Sequence, residues 1–458
     1  MRTIIQSAGI AAILLMLLCQ ACMVGPRYAR PNMPTVPSFN TGSAVITAND
    51  SVGALKWSDF YPDPVLRGLI DSALKRNYDL KMATSRIEIA AANYGIAISQ
   101  LFPSFGYQLS GNQSASASGS SSLYTLGAGM SWEIDIWGKI RHSRNAALND
   151  LLASEEGRAA VQVALISNVA DAYYKLRDFD NRLAISKATY ETRLQNYQVL
   201  EERFKQGYIS EWDLLQSKQL VESAVSSVNA YTRAVAITDN ALSYLLANPP
   251  GKVGRGLANA EQPAQPVIPA GLPSALLSQR PDVRQAEYNY KREVEKIGVA
   301  EALRYPSLSL TAGGGMASSE LSELLSSDAL ISSLTQNLLG PIFEFGRNKR
   351  RVTAQMKSAE VAAYHYQQVY LRALQEVENA LVSIETIQQE LAARKRQEAT
   401  AREALTLSQA RYNDGYTSYL ELMDVQRSLF EIELLVSNLQ QQYLNAYVDL
   451  YRALGGGK

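Results

Sequence analysis

Few residues of this 458-residue chain are of a type and spacing that could do chemistry. Its only two cysteines, Cys19 and Cys22, lie in LCQAC, residues 18–22. Arg2 gives a positive start, and the apolar stretch Gly9–Leu18 is too short to span a bilayer. Ala21 is the small residue needed before a cleavage point. Residues 1–21 therefore read as a secretory signal that resembles a bacterial lipoprotein signal peptide, with Cys22 first in the mature chain; an ordinary secretory signal with a spare Cys is the alternative. The chemistry expected at Cys22 is acylation, an S-diacylglycerol on the thiol and an N-palmitoyl group on the freed amine. Met23 in the next position, where an Asp would retain such a protein at the inner membrane, fits the outer membrane. No other thiol follows, which excludes a disulfide framework. His142 and His365 are the only histidines and have no second ligand at metal spacing, so each reads as a solvated helix face and no metal site is expected. No P-loop, GxSxG elbow or paired catalytic group stands out, and the chain does not read as an enzyme. With 44 basic and 44 acidic side chains and no basic run, nothing points to nucleic acid.

The carboxylates of note flank a stretch that occurs twice. Residues 203–218 read RFKQGYISEWDLLQSK and residues 411–426 read RYNDGYTSYLELMDVQ. At an offset of 208, Arg203/Arg411, Gly207/Gly415, Tyr208/Tyr416, Ser210/Ser418 and Leu214/Leu422 are identical. The Gly suits a left-handed helix C-cap, and the Arg before it suits a helix C-terminus. Ser210-x-x-Asp213 and Ser418-x-x-Glu421 then read as capping boxes that open a return helix.

Long elements must position these turns. After a Pro-marked extended arm over 22–62, helical periodicity starts at Asp63. At Leu101 the period changes to two. FPSFGYQLSGNQ (102–113) and LYTLGAGMSWEIDIW (123–137) read as a β-hairpin around a flexible loop, SASASGSSS (114–122). Tyr124, Leu126, Ala128, Met130, Trp132 and Ile134 fall on one face of the second strand, and small or polar residues fall on the other. Such a hairpin fits a membrane β-barrel, although a soluble, half-buried hairpin would look alike. A helix over 139–204, about 100 Å long, carries a seam of Val161, Leu165, Val169, Ala172, Leu176, Phe179 and Leu183. A return helix covers 210–246, so the first repeat spans 63–247. Residues 248–273 are Pro-rich and read as a linker. Residues 274–454 repeat the plan with a hairpin at about 305–345, a long helix over 347–412 and a return helix over 418–453. The 25 tyrosines beside 9 phenylalanines suit side chains with one apolar and one wet end, as at membrane interfaces.

Four strands cannot close a barrel, and an open sheet edge cannot face lipid. Hairpins in a membrane would therefore require several copies to share one barrel.

Six motifs in order, CMVGPRYARP (22–31), LIDSALKRNYDLKMA (69–83), SWEIDIWGK (131–139), RPDVRQAE (280–287), YPSLSL (305–310) and GPIFEFGR (340–347), resemble the outer membrane factor family in its lipoprotein branch. These are the TolC-like exit ducts of tripartite efflux systems. The resemblance covers nearly the whole mature chain. It implies a mainly α fold with one transmembrane β-hairpin per half. It further implies a homotrimer whose 12-stranded β-barrel in outer-membrane lipid continues as a long periplasmic α-helical barrel, with the linker in its equatorial region. The implied function is passive conduction of drugs or other small molecules, with a periplasmic membrane-fusion adaptor and an inner-membrane resistance-nodulation-division pump as partners. Gly207, Tyr208, Ser210, Gly415, Tyr416 and Ser418 would meet the adaptor. Asp424 and Glu421 would narrow the aperture as carboxylate rings, and Asp213 and Tyr412 fall at positions that hydrogen-bond in resting family members. No cofactor is implied beyond the acyl groups on Cys22. Two departures are Arg27, where an acidic residue is usual, and Thr417, where an Arg helps to hold the best-known ducts shut. A metal-ion duct of the same fold, or a coiled-coil scaffold lipoprotein without a pore, are the alternatives.

Overall fold

The computed structural model describes residues 23–33, 57–117, 119–263 and 279–456. Cys22, much of the N-terminal arm and the end of the linker lie outside the described residues. After a helical turn at Trp57–Phe60 come α1 (Pro64–Arg76), α2 (Tyr78–Ser99), β1 (Ser104–Ser116) and β2 (Gly119–Ile134). Helix α3 then runs over Lys139–Lys205 and α4 over Glu211–Leu245. The second half supplies α5 (Pro281–Ala302), β3 (Ser307–Ser318), β4 (Leu330–Leu339), α6 (Arg347–Asn413) and α7 (Tyr419–Ala453). The repeat is metrical. Helices α2 and α5 have 22 residues each, α3 and α6 have 67, and α4 and α7 have 35. No proline interrupts the long helices, so their backbone ladders continue unbroken.

The chain divides into two units. One takes the arm up to Met33 with Thr84–Gly157 and Arg284–Val369. It contains all four strands, in one antiparallel sheet of order β1-β2-β3-β4. The register places Phe105, Tyr107 and Leu109 opposite Met130, Ala128 and Leu126, and Leu310 and Ala312 opposite Trp132 and Met130. Ser104, Gly106 and Gln108 stand opposite Ser131, Gly129 and Gly127. Directly paired residues share a face, so one face is apolar and the other is Ser-, Gly- and Gln-rich. The apolar face is bare in the chain, with Tyr107 89% exposed.

The expected flexible loop over 114–122 is not there. Pairing continues to Ser116 opposite Gly119, so the strands have 13 and 16 residues rather than about ten. The Ser114 and Ser121 hydroxyls lie 2.9 Å apart and those of Ser110 and Thr125 2.6 Å apart. Ser114 and Ser121, which read as loop formers by composition, are here satisfied by each other across the ladder. The third strand runs to Ser318, passing through Gly313, Gly314 and Gly315. A Cβ at Gly315 would stand 2.3 Å from the Leu126 carbonyl oxygen, so backbone approach accounts for that glycine. His142 corrects a second expectation. It is only 5% exposed, not on a solvated face, because Glu295 and the Val24 carbonyl take both of its ring nitrogens. His365 is exposed, as expected.

The other unit takes the segment up to Ala83, Arg158–Val283 and Tyr370–Lys458. The seam residues Leu165, Val169 and Leu176 are buried there with Leu66, Ile70, Val377, Leu444 and Val448. Phe60 and Tyr61 join the same core, so the end of the arm is buried. Tyrosine composition also misleads in part. Tyr173, Tyr174 and Tyr451 are among the largest fully buried side chains and pack in this core. Arg280 of the RPDVRQAE motif caps α7, donating to the Ala453 carbonyl at 2.6 Å while its other donors reach Asp282 and Glu376.

Asp63 is the polar centre of that unit, with no exposed surface. As N-cap of α1 it accepts from the Val65 and Leu66 amides. The Tyr173 hydroxyl donates to it at 2.6 Å, the Leu257 amide at 3.0 Å and the Gln262 side chain at 3.2 Å. The near half of the linker is thus pinned to the first helix. Burial by itself raises the Asp63 carboxyl, but these donors more than offset it and hold it below its ordinary value. A depressed folded carboxyl stabilises above the unfolded value and loses that contribution as pH falls through the folded one. Asp63→Asn is therefore expected to cost about 2–3 kcal/mol at neutral pH. Thermal melts of the two proteins should converge as the pH is lowered below about 4.

Candidate functional site at the helix turns

Helix α3 ends at Lys205 because Gly207 follows at φ 79°, and α6 ends at Asn413 because Gly415 follows at φ 81°. Each turn closes with the same two bonds. The Gly207 amide donates to Phe204 and the Tyr208 amide to Arg203; the Gly415 amide donates to Tyr412 and the Tyr416 amide to Arg411. Both glycines are Schellman C-caps, as the spacing leads one to expect.

The restarts differ. Ser210 and Asp213 form a full capping box, with the Ser210 hydroxyl accepting from the Asp213 amide and the Asp213 carboxylate accepting from the Ser210 amide at 3.4 Å. Ser418 accepts from the Glu421 amide at 3.4 Å, but Glu421 does not return the bond. Its carboxylate takes the Thr417 hydroxyl instead. The matching residue in the first turn is Ile209, which has no hydroxyl to compete. The second expected capping box is therefore half formed, for a reason one residue upstream.

The two turns pack together. Leu200, Leu220, Tyr419, Leu422 and Met423 form a small core flanked by Ile209, Leu214, Leu405 and Tyr412. The Tyr419 hydroxyl donates to Ser217 at 3.2 Å, and burial pushes its phenol above the ordinary value. Tyr412 and Asp213 are not joined within the chain. Asp213 stays in its capping box, and the Tyr412 hydroxyl accepts from Arg203 Nη1 at 3.1 Å, with the guanidinium 5.6 Å over its ring. Asp424 is solvent-exposed and paired with Arg427 at 3.5 Å, one turn on. Sequence reading missed Arg203 and Arg427 as partners. The i,i+3 spacing of Asp424 and Arg427 could have shown the second. The first depends on two distant turns meeting. Tyr208, Trp212 and Tyr416 are large, aromatic and exposed at these turns. Among the described residues no group of three or more His, Cys, Asp or Glu could hold a metal ion, and no helix is long and apolar enough to cross a membrane.

A sheet with one bare apolar face, carried with two packed helical hairpins that end in exposed carboxylates and aromatics, has the parts of a membrane duct. The outer membrane efflux protein model matches residues 69–248 and 272–456, and the chain belongs to that family. The solvent efflux pump outer membrane protein SrpC of Pseudomonas putida is 33% identical over 457 residues, 96% of this chain and 97% of the relative. The cation efflux system protein CusC of Escherichia coli is 31% identical over 441 residues, 95% of this chain and 96% of the relative. Among solved structures, the Campylobacter jejuni CmeC outer membrane channel superposes with a TM-score of 0.90 at 27% identity, covering 95% of each chain. The open state of the Neisseria gonorrhoeae MtrE outer membrane channel gives 0.87 at 31% identity, covering 95% of this chain and 98% of the other. The protein is thus an efflux protein of the outer membrane.

Gly207→Ala and Gly415→Ala each place a Cβ at positive φ and are expected to cost about 1–2 kcal/mol locally. Amide hydrogen exchange should speed up across 203–218 or 411–426, while the core around Asp63 stays protected.

Proposed function

We propose that three copies of this chain form the exit duct of a tripartite efflux pump and passively conduct drug- or solvent-like small molecules. The observation that carries this reading is the sheet. It has four strands, a bare apolar face, a polar face, and outer strands β1 and β4 that each pair on one side only. Lipid tolerates neither an open edge nor an unpaired backbone group, so neighbouring copies must supply the missing ladders. Three copies of four strands make a 12-stranded barrel with the apolar face in lipid and the polar face lining the lumen. The helical hairpins then continue the tube into the periplasm. Cys22, acylated, adds a lipid anchor to each copy.

At the turns, the exposed Tyr208, Trp212 and Tyr416 with Gly207, Ser210, Gly415 and Ser418 suit docking of a periplasmic adaptor, which links the duct to an inner-membrane pump. Three copies of Asp424 and Glu421 around an axis would form carboxylate rings that repel one another as the tube narrows. The Asp424–Arg427 pair tempers that repulsion, so the aperture is set by both charges.

Single-channel recording in planar bilayers tests the gate. Asp424→Ala is expected to give larger or more frequent openings than the wild type, whereas equal openings in both would remove Asp424 as the constriction. Chemical cross-linking should yield a trimer, and dimers alone would overturn the barrel. Leu126→Arg on the apolar face is expected to cost about 2–4 kcal/mol in lipid and to lower the yield of membrane-inserted protein. A polar-face change, Thr125→Ser, should not.

A further inference from the structure

The arm over 23–33 is held at two places, both within the unit that carries the sheet. At its far end Tyr28 donates to Glu287 at 3.0 Å and packs edge-on against Tyr290, and Arg30 donates to the Tyr366 hydroxyl at 3.0 Å. At its near end the Val24 amide donates to the Trp137 carbonyl at 3.2 Å. The Val24 carbonyl lies 2.9 Å from Nε2 of His142, and Nδ1 of the same ring lies 2.6 Å from Oε2 of Glu295. The socket is tight. A Cβ on Gly298 would come within 2.4 Å of His142 Nε2, and one on Gly25 within 2.7 Å of the Gly298 Cα.

A neutral imidazole has one N–H and one lone pair. A carbonyl only accepts, so Nε2 must be the donor to Val24. Nδ1 would then turn its lone pair on a carboxylate at 2.6 Å. The contact is attractive only if a proton lies between Nδ1 and Oε2, on His142 as an imidazolium or on Glu295 as a carboxylic acid. The neighbouring cations make their hydrogen bonds to other groups. On its own helix, Arg141 is held by Asp135 and Arg144 by Asn145, whose amide also points at Glu295 Oε2. On α5, Arg292 is engaged with Asp150 and Lys296 with Glu293. From the arm, the group facing the ring is the Val24 carbonyl.

We propose that this shared proton is a latch for the N-terminal arm, fastening the segment that follows Cys22 while it is bound and loosening that segment when it leaves. The docked arm binds one more proton than the released arm. Docking therefore strengthens as pH falls and weakens as pH rises, by at most about tenfold per pH unit for one linked proton.

The test uses the full-length protein in detergent with a spin label at Arg27→Cys, an exposed position of the arm. Its mobility is read by electron paramagnetic resonance from about pH 5 to about pH 9, the range over which histidines titrate. The label is expected to be immobile at the acid end and mobile at the alkaline end. In Glu295→Gln the amide can donate to a neutral Nδ1 while Nε2 still donates to Val24, so the arm should stay docked throughout. A wild-type label whose mobility does not change with pH would overturn the latch, as would a Glu295→Gln protein that keeps the wild-type pH dependence. Nitrogen-15 histidine spectra need no substitution, because the chain holds only two histidines and the exposed His365 is an internal reference. The His142 signals should change over the same pH interval as the label. A change in the label without one in His142 would also overturn the proposal.

Discussion

Backbone hydrogen bonding at the sheet edges is the constraint on which the rest depends. Within the chain β1 and β4 each pair on one side only, and the face they share with β2 and β3 is bare and apolar. In water such a sheet would aggregate, and in lipid its unpaired edges would cost several kcal/mol per group. Neither fate is avoided inside one chain. The open edges are a property of the backbone, before any side chain is considered. The pattern of glycines has the same origin. Gly127 and Gly315 face each other in the β2–β3 ladder, where a Cβ on Gly315 would come within 2.5 Å of the Gly127 Cα.

Much of this was legible in the sequence because periodicity and terminators speak locally. A glycine at positive φ ends α3 and α6 within a residue of the expected place, and the serines that follow start α4 and α7. What was illegible is whatever depends on distant partners. Serines 114 and 121 read as loop residues until their hydroxyls are seen to meet across the strand. His142 reads as solvated until α5 and the arm close over it. Asp63 looks like one more helix cap, although it also gathers Tyr173 and the linker. The carboxylates at the turns were found, but Arg203 as the partner of Tyr412 joins residues 209 apart in sequence, and no local rule points to it.

The repeat is most informative where it fails. Two turns of the same geometry carry Ile209 in one copy and Thr417 in the other. That single hydroxyl draws Glu421 out of its capping box and leaves it on the surface beside Asp424, whereas Asp213 stays committed to its helix. The carboxylate that closes the helix cap in one copy is held in the other by the hydroxyl one residue before the cap. Asymmetry between the halves, rather than the repeat itself, distinguishes the carboxylates of the second turn from that of the first.

Stability is distributed to match. Both helix turns and the core around Asp63 belong to the same unit, but they are built differently. The core holds fully buried tyrosines and a carboxylate with several donors, so opening it would expose both apolar surface and a satisfied charge. The turns rest on a small cluster and on exposed bonds such as Arg203 to Tyr412. Exposed hydrogen bonds contribute little net free energy because water replaces them readily. Segments that move in function are drawn from the low-stability end of a structure. The turns therefore open more readily than the core, because tyrosine and aspartate lie in the core and arginine, threonine and glutamate at the turns.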